Sequence, residues 1–219
     1  MPHEHIPTDA RSGYRLAVFD FDGTLADSLP WMLSVLDDVA DRFGFTKLSH
    51  EELHSLRGLD SLAILKRFEL PLWKVPRVAA HMRALAKSER MPLFDGVELA
   101  LRELHARGVK LAVVSSNGAE TIRRALGEEV SSSIGWYECG ASMFGKAAKL
   151  KKVLAKSGCS ACDAIYVGDE LRDADAAASA GMPFGAVSWG YNDLDVLLAK
   201  RPAEVFASVG EIATKLTPR

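Results

Sequence analysis

The sequence has little cysteine, no long apolar run and no surplus of charge of either sign. Three cysteines in 219 residues, Cys139, Cys159 and Cys162, exclude a disulfide framework and fit a reducing compartment. Cys159 and Cys162 form a CxxC, but no second CxxC and no nearby histidine pair completes a zinc site, so the pair reads as two small residues in a turn between a helix and a strand. No stretch reaches the roughly 18 uninterrupted apolar residues of a membrane span, and the opening MPHEHIPTDARSG lacks the apolar centre of a secretory signal. A cytoplasmic protein without membrane contact is expected. With 27 Lys and Arg against 29 Asp and Glu, the chain carries no overall electrostatic footprint for nucleic acid. The phosphate loop GxxxxGK[ST] is missing too, as are internal repeats. Small-molecule chemistry is what remains.

What the sequence does have is an order of elements. YRLAVF, residues 14–19, is a short strand bounded by Asp and Gly. From Ser28 the period changes to three and four, with Leu29, Met32, Leu33, Leu36, Val39, Ala40 and Phe43 on one helical face and Gly44 as its stop. Further helical pieces follow without a strand. From MPLFDG (91–96) the chain alternates: helices at GVELALRELHARG, AETIRRALGEE, KAAKLKKVLAKSG and RDADAAASAG, and strands at VKLAVVS, DAIYVGD and PFGAVS. Alternation of this kind builds a parallel sheet. The expected fold is α/β, a doubly wound parallel sheet formed by residues 1–27 and 91–219, with a small helical cap inserted at 28–90 after strand one.

Carboxylates gather where these strands end. In DFDGT, Asp20 and Asp22 stand two apart in an extended segment, so both can face one ligand, and Gly23 permits a tight turn. A second strand end, AVVSSNG, offers Ser115, Ser116 and Asn117 at the start of a helix, where hydroxyls and free N–H groups suit an anion. The third, AIYVGDELRD, offers Asp169 and Asp173 around a Gly turn. Oxygen ligands clustered at one crevice repel each other unless a hard cation lies among them, and Mg²⁺ is the common choice beside phosphate. The combination implies metal plus phosphate.

DFDGTLADS, SSN, an intervening lysine and GDELRD together resemble the haloacid dehalogenase superfamily, and within it the phosphoglycolate phosphatase-like hydrolases, from about residue 15 to about residue 202. The resemblance implies a nucleophilic role for Asp20, which would form an aspartyl-phosphate, and a general acid and base role for Asp22. It implies phosphate binding by Ser115 with Ser116 and Asn117, joined by Gly23 and Thr24. Mg²⁺ would be held by Asp20, the Asp22 carbonyl and Asp169, with Asp173 ordering its waters. In GKAAKLKK the neutralising lysine is Lys146, which opens a helix; Lys149 is the alternative, and Lys149, Lys151 and Lys152 otherwise read as a solvated face. Many relatives place proline after this lysine, where Ala147 stands here. The insert corresponds to a lid, with Arg57 of SLRGLDS as the residue to fork onto a second anionic group and Trp31 and Trp73 as packing residues.

The implied activity is Mg²⁺-dependent hydrolysis of a small phosphomonoester, phosphoglycolate-like or a sugar phosphate. A phosphomutase of the β-phosphoglucomutase type shares the same motifs and stays open at this level. A phospho-acceptor signalling module combines similar residues, but the DxDGT pattern and the large insert do not suit its compact form. Oligomeric state is not legible.

Overall fold

The computed structural model describes residues 13–140 and 145–217. Six strands, β1 (Leu16–Phe19), β2 (Lys110–Val114), β3 (Ile134–Glu138), β4 (Ala164–Gly168), β5 (Phe184–Val187) and β6 (Glu204–Phe206), form one sheet in the order β3-β2-β1-β4-β5-β6. All its pairs are parallel. The doubly wound α/β expectation holds. Among the described residues no helix is long and apolar enough to cross a membrane.

Strand β1 lies between β2 and β4, with Phe19 opposite Val113 on one side and Val167 on the other. Alternation along these strands feeds two apolar layers. Ala17, Phe19, Val113 and Val167 pack with helices α5 (Val97–Ala106), α6 (Ala119–Ser133) and α10 (Glu211–Leu216). Leu16, Val18, Val114 and Tyr166 pack with α7 (Lys146–Ser157) and α8 (Leu171–Ala180). All four residues of β1 are fully buried. Burial on both faces explains the continuous apolar run of LAVF, and Leu16, Val18 and Phe19 each contribute about 1.5–3 kcal/mol.

Between β1 and α5 come α1 (Leu29–Phe43), α2 (His50–Ser55), α3 (Ser61–Arg67) and α4 (Val75–Ala86). Pro30 occupies the first turn of α1, and Gly44, left-handed at φ 62°, ends it. Pro76 stands in the first turn of α4, where its missing N–H costs nothing. Leu56, Phe68, Leu70 and Val75 form a small separate core inside this insert.

The outer strands depart from expectation. The sequence pattern names no strand between the helices at AETIRRALGEE and KAAKLKKVLAKSG, yet Ile134–Glu138 forms β3, and residues 194–198 and 204–216 add α9 (Leu194–Leu198), β6 and α10. Both unread strands are sheet edges, each bonded to one neighbour, so neither needs a full apolar run. IGWYE carries Gly135, and its Trp136 and Tyr137 are only half-buried. Cys159 is buried and Cys162 exposed in the connection from α7 to β4, both as free thiols, as expected of two small turn residues.

Candidate active site

The carboxyl ends of β1, β2 and β4 meet at one place, where strand order reverses. Asp20 follows β1 and is buried; its N–H donates to the Val167 carbonyl at 2.9 Å, which keeps the chain extended past the strand. The chain then turns back, with the N–H groups of Leu25 and Ala26 donating to the Phe21 carbonyl. Gly23 sits in this turn at φ 75°, and a Cβ there would lie 2.2 Å from Oδ2 of Asp169. Both conformation and space therefore require glycine.

Lys146, the first residue of α7, reaches into the middle. Its Nζ donates to Asp20 Oδ2 at 2.5 Å and to Asp173 Oδ1 at 2.5 Å, with all three residues buried. Burial works against the ammonium, but Asp173 and Asp20 outweigh it and hold Lys146 above the ordinary lysine range. Burial pushes the Asp20 carboxyl up to about 7, with Lys146 opposing and Asp173 reinforcing the shift. Tyr166 on β4 donates its hydroxyl to Asp173 Oδ1 at 2.9 Å, and the Glu170 N–H donates to Asp173 Oδ2 at 3.1 Å. Asp173 is thus fixed from three sides.

Asp169 is held independently: Thr24 Oγ1 donates to its Oδ1 and the Tyr191 N–H to its Oδ2, each at 2.7 Å. Burial and the carboxylates of Glu170, Asp173 and Asp20 push the Asp169 carboxyl well above its usual value. Carboxylate oxygens of Asp20, Asp169 and Asp173 lie within 4.8 Å of one another. Glycines make the room: a Cβ at Gly168 would stand 2.7 Å from the Asp173 side chain, and one at Gly190 would stand 2.0 Å from Asp169 Cβ. Three buried carboxylates against one ammonium form an all-oxygen donor set short of positive charge, which fits a hard divalent cation.

The β2 end supplies the other side of the crevice. Ser115 is buried and its Oγ accepts the Asn117 N–H at 3.0 Å, curling the SSN loop. Lys149 clamps that loop by donating to the carbonyls of Ser115 at 2.8 Å and Gly140 at 2.7 Å. Lys146 rather than Lys149 therefore meets the aspartates, and Lys149 is not part of a solvated face, although Lys151 and Lys152 are exposed. Asp22, Ser116 and Asn117 line a cavity of about 660 Å³ whose far wall is built by Trp31 and Met32 of α1 and the inner face of α4. Burial raises the Asp22 carboxyl, with a hydrogen bond from Ser28 opposing it.

Several residues stand elsewhere than their expected roles. Arg57 is not among the cavity-lining residues; its Nε donates to Asp193 Oδ1 at 2.8 Å, fastening the insert to the loop after β5. Thr24 and Gly23 face Asp169 and so bear on the carboxylate cluster. Trp31 lines the cavity, and Trp73 is 68% exposed with the Lys74 ammonium over its ring. The sequence reading missed the loop Trp189–Asp193, where Asn192 Nδ2 donates to the carbonyls of Arg57 and Leu59, and Tyr191 pairs its hydroxyl with Ser28. Its position directly after a strand of a parallel sheet was the available signal.

Such a crevice, with aspartates at two strand ends, a lysine between them and a helical insert over the opening, defines a class, and comparison with known proteins agrees. Residues 17–187 match the family described as Haloacid dehalogenase-like hydrolase, and the chain belongs to it. It is 31% identical over 203 residues to a phosphoglycolate phosphatase of Synechococcus elongatus, covering 91% of this chain and 96% of that protein. A phosphoglycolate phosphatase of Xanthomonas campestris pv. campestris is 30% identical over 191 residues, covering 81% and 84%. The crystal structure of a predicted phosphatase from Clostridium acetobutylicum superimposes with a TM-score of 0.78 at 19% identity, over 92% of this chain and 97% of that one. Within its family the chain falls among the phosphatases, the phosphoric monoester hydrolases.

Proposed function

We propose that the protein is a Mg²⁺-dependent phosphatase of a small-metabolite phosphomonoester, working through an aspartyl-phosphate on Asp20, with 2-phosphoglycolate as the first candidate substrate. The observation that carries this reading is Lys146 bridging Asp20 and Asp173, with Asp169 in the same cluster and Asp22 facing the cavity.

An Asp20 oxygen attacks phosphorus as the ester oxygen leaves. Asp22, its carboxyl pushed up by burial, delivers its proton to that leaving oxygen. The carboxylate so formed then takes a proton from water, whose oxygen attacks phosphorus and breaks the bond to Asp20, releasing phosphate and restoring both aspartates. Lys146 offsets charge on Asp20 and the phosphoryl oxygens, while the Ser115 hydroxyl and the Ser116 N–H receive that phosphoryl group and the Asn117 N–H holds Ser115 Oγ in place. Asp20, Asp169, Asp173 and the Asp22 carbonyl would hold Mg²⁺, which when bound adds positive charge against the phosphoryl oxygens. Residues 28–90 act as the cap that closes the crevice and shields it from bulk solvent while admitting the attacking water, and a cytoplasmic location belongs to the same reading.

Phosphate release from a panel of metabolite phosphates, with Mg²⁺ and then with EDTA, tests the proposal. Metal-dependent release concentrated on one compound is expected; release that EDTA leaves unchanged contradicts it.

A further inference from the structure

The cavity over Asp22 contains a cation that the phosphoryl chemistry does not use. Three charged side chains line it: Asp22, Arg172 and Arg83. Arg172 is already neutralised, its Nε donating to Glu170 Oε2 at 2.6 Å. Arg83, half-buried on α4, has no hydrogen bond or ion pair among the described residues. Its neighbours on the cavity-facing side of that helix are Val75, Ala79, Met82 and Ala86. A guanidinium held against an apolar wall is poorly hydrated and gains most from an anion that brings its own charge. The same wall offers a polyhydroxylated group few partners for its hydroxyls.

Resting on the phosphatase reading, we propose that Arg83 determines specificity by pairing with a second anionic group on the leaving alcohol. The preferred substrate class is then a phosphomonoester whose leaving group joins a short carbon body to a carboxylate or second phosphate, in preference to a neutral polyol. Arg83 comes from the insert and Asp22 from the sheet, so a ligand spanning both would hold the two parts together.

The test compares kcat/KM for 2-phosphoglycolate (carboxylate), ethylene glycol bisphosphate (second phosphate), ethyl phosphate (neutral) and glycerol 2-phosphate (neutral polyol). Wild-type protein is expected to favour one charged ester over both neutral ones. In Arg83→Gln the charged-to-neutral ratio falls about tenfold or more, since a hydrogen-bonded charge pair is lost. Arg83→Lys recovers part of the ratio, and Arg77→Gln, on the exposed outer face of α4, keeps the wild-type ratio. A wild-type ratio of one, or an unchanged ratio in Arg83→Gln, overturns the role of Arg83 while leaving the hydrolysis of neutral esters to stand. Failure of every ester, neutral ones included, overturns the phosphatase reading and this proposal with it.

Discussion

The main-chain N–H of Tyr191 donates to Oδ2 of Asp169 over 2.7 Å, and through that bond the loop after β5 touches the carboxylate cluster. The next residue, Asn192, ties the same loop to the helical insert through the carbonyls of Arg57 and Leu59, and accepts the Leu171 N–H at the start of α8. One short loop therefore grips both the insert and a candidate metal ligand.

Asn192→Ala removes these side-chain bonds and leaves the Leu59 carbonyl and the Leu171 N–H to find other partners, while the Arg57 carbonyl keeps the Asp193 N–H. The expected loss is about 1–3 kcal/mol of stability, read by chemical denaturation, together with a higher Mg²⁺ concentration for half-maximal activity. Unchanged metal titration would separate the loop from the cluster.

Gly190→Ala is expected to be worse than its size suggests. The added methyl would lie 2.0 Å from Asp169 Cβ, closer than any relaxed contact. Displacement of Asp169 or of the loop follows, at a cost of about 1–3 kcal/mol, with metal-dependent turnover lost. Gly210→Ala, where the nearest atom to a new methyl is 3.9 Å away, is the control expected to behave like wild type.

The two lysines of α7 separate by role. Lys146→Met strips the partner from two buried carboxylates and is expected to cost about 3–5 kcal/mol and abolish turnover. Lys149→Met loses only the clamp on the Ser115 and Gly140 carbonyls, so KM for the phosphoester should rise more than kcat falls. Comparable kinetics in the two variants would argue against Lys146 as the neutralising cation.

Acidity has a definite sign. Without metal, burial pushes the Asp20 carboxyl up to about 7, so the folded state binds a proton between about 3.8 and 7 that the unfolded chain releases. That contribution to stability is present at low pH in this window and fades as pH rises through 7. In EDTA, the Tm of wild type should therefore fall more between pH 6 and pH 8 than that of Asp20→Asn. Protons also compete with a cation for the same carboxylates, so Mg²⁺ affinity should weaken below pH 7. Affinity independent of pH would remove Asp20 from the ligand set.

The sequence made the centre of the sheet legible, because strands buried on both faces must be continuously apolar and their ends must carry the polar chemistry: Asp20, Ser115 and Asp169 were found that way. Edge strands β3 and β6 escaped, since one bonded neighbour and a half-exposed face leave a short, mixed pattern. Lys146 and Lys149 are one helical turn apart and equivalent in period, and only the packing of α7 against β2 and β3 directs one to the aspartates and the other to the SSN loop. Arg57 and Arg83 are both isolated arginines in the insert; which one faces the cavity depends on how α4 lies over the sheet. The role of Thr24 was hidden similarly, because its hydrogen-bond partner, Asp169, lies far along the chain.

The central claim is covalent chemistry on Asp20, and the most direct measurement is mass spectrometry of acid-quenched enzyme during turnover of 2-phosphoglycolate with Mg²⁺. A phosphoryl group located on Asp20, and lost together with turnover in Asp20→Asn, is the predicted result. Undiminished turnover in Asp20→Asn, or a phosphoryl group on another residue, would contradict the account.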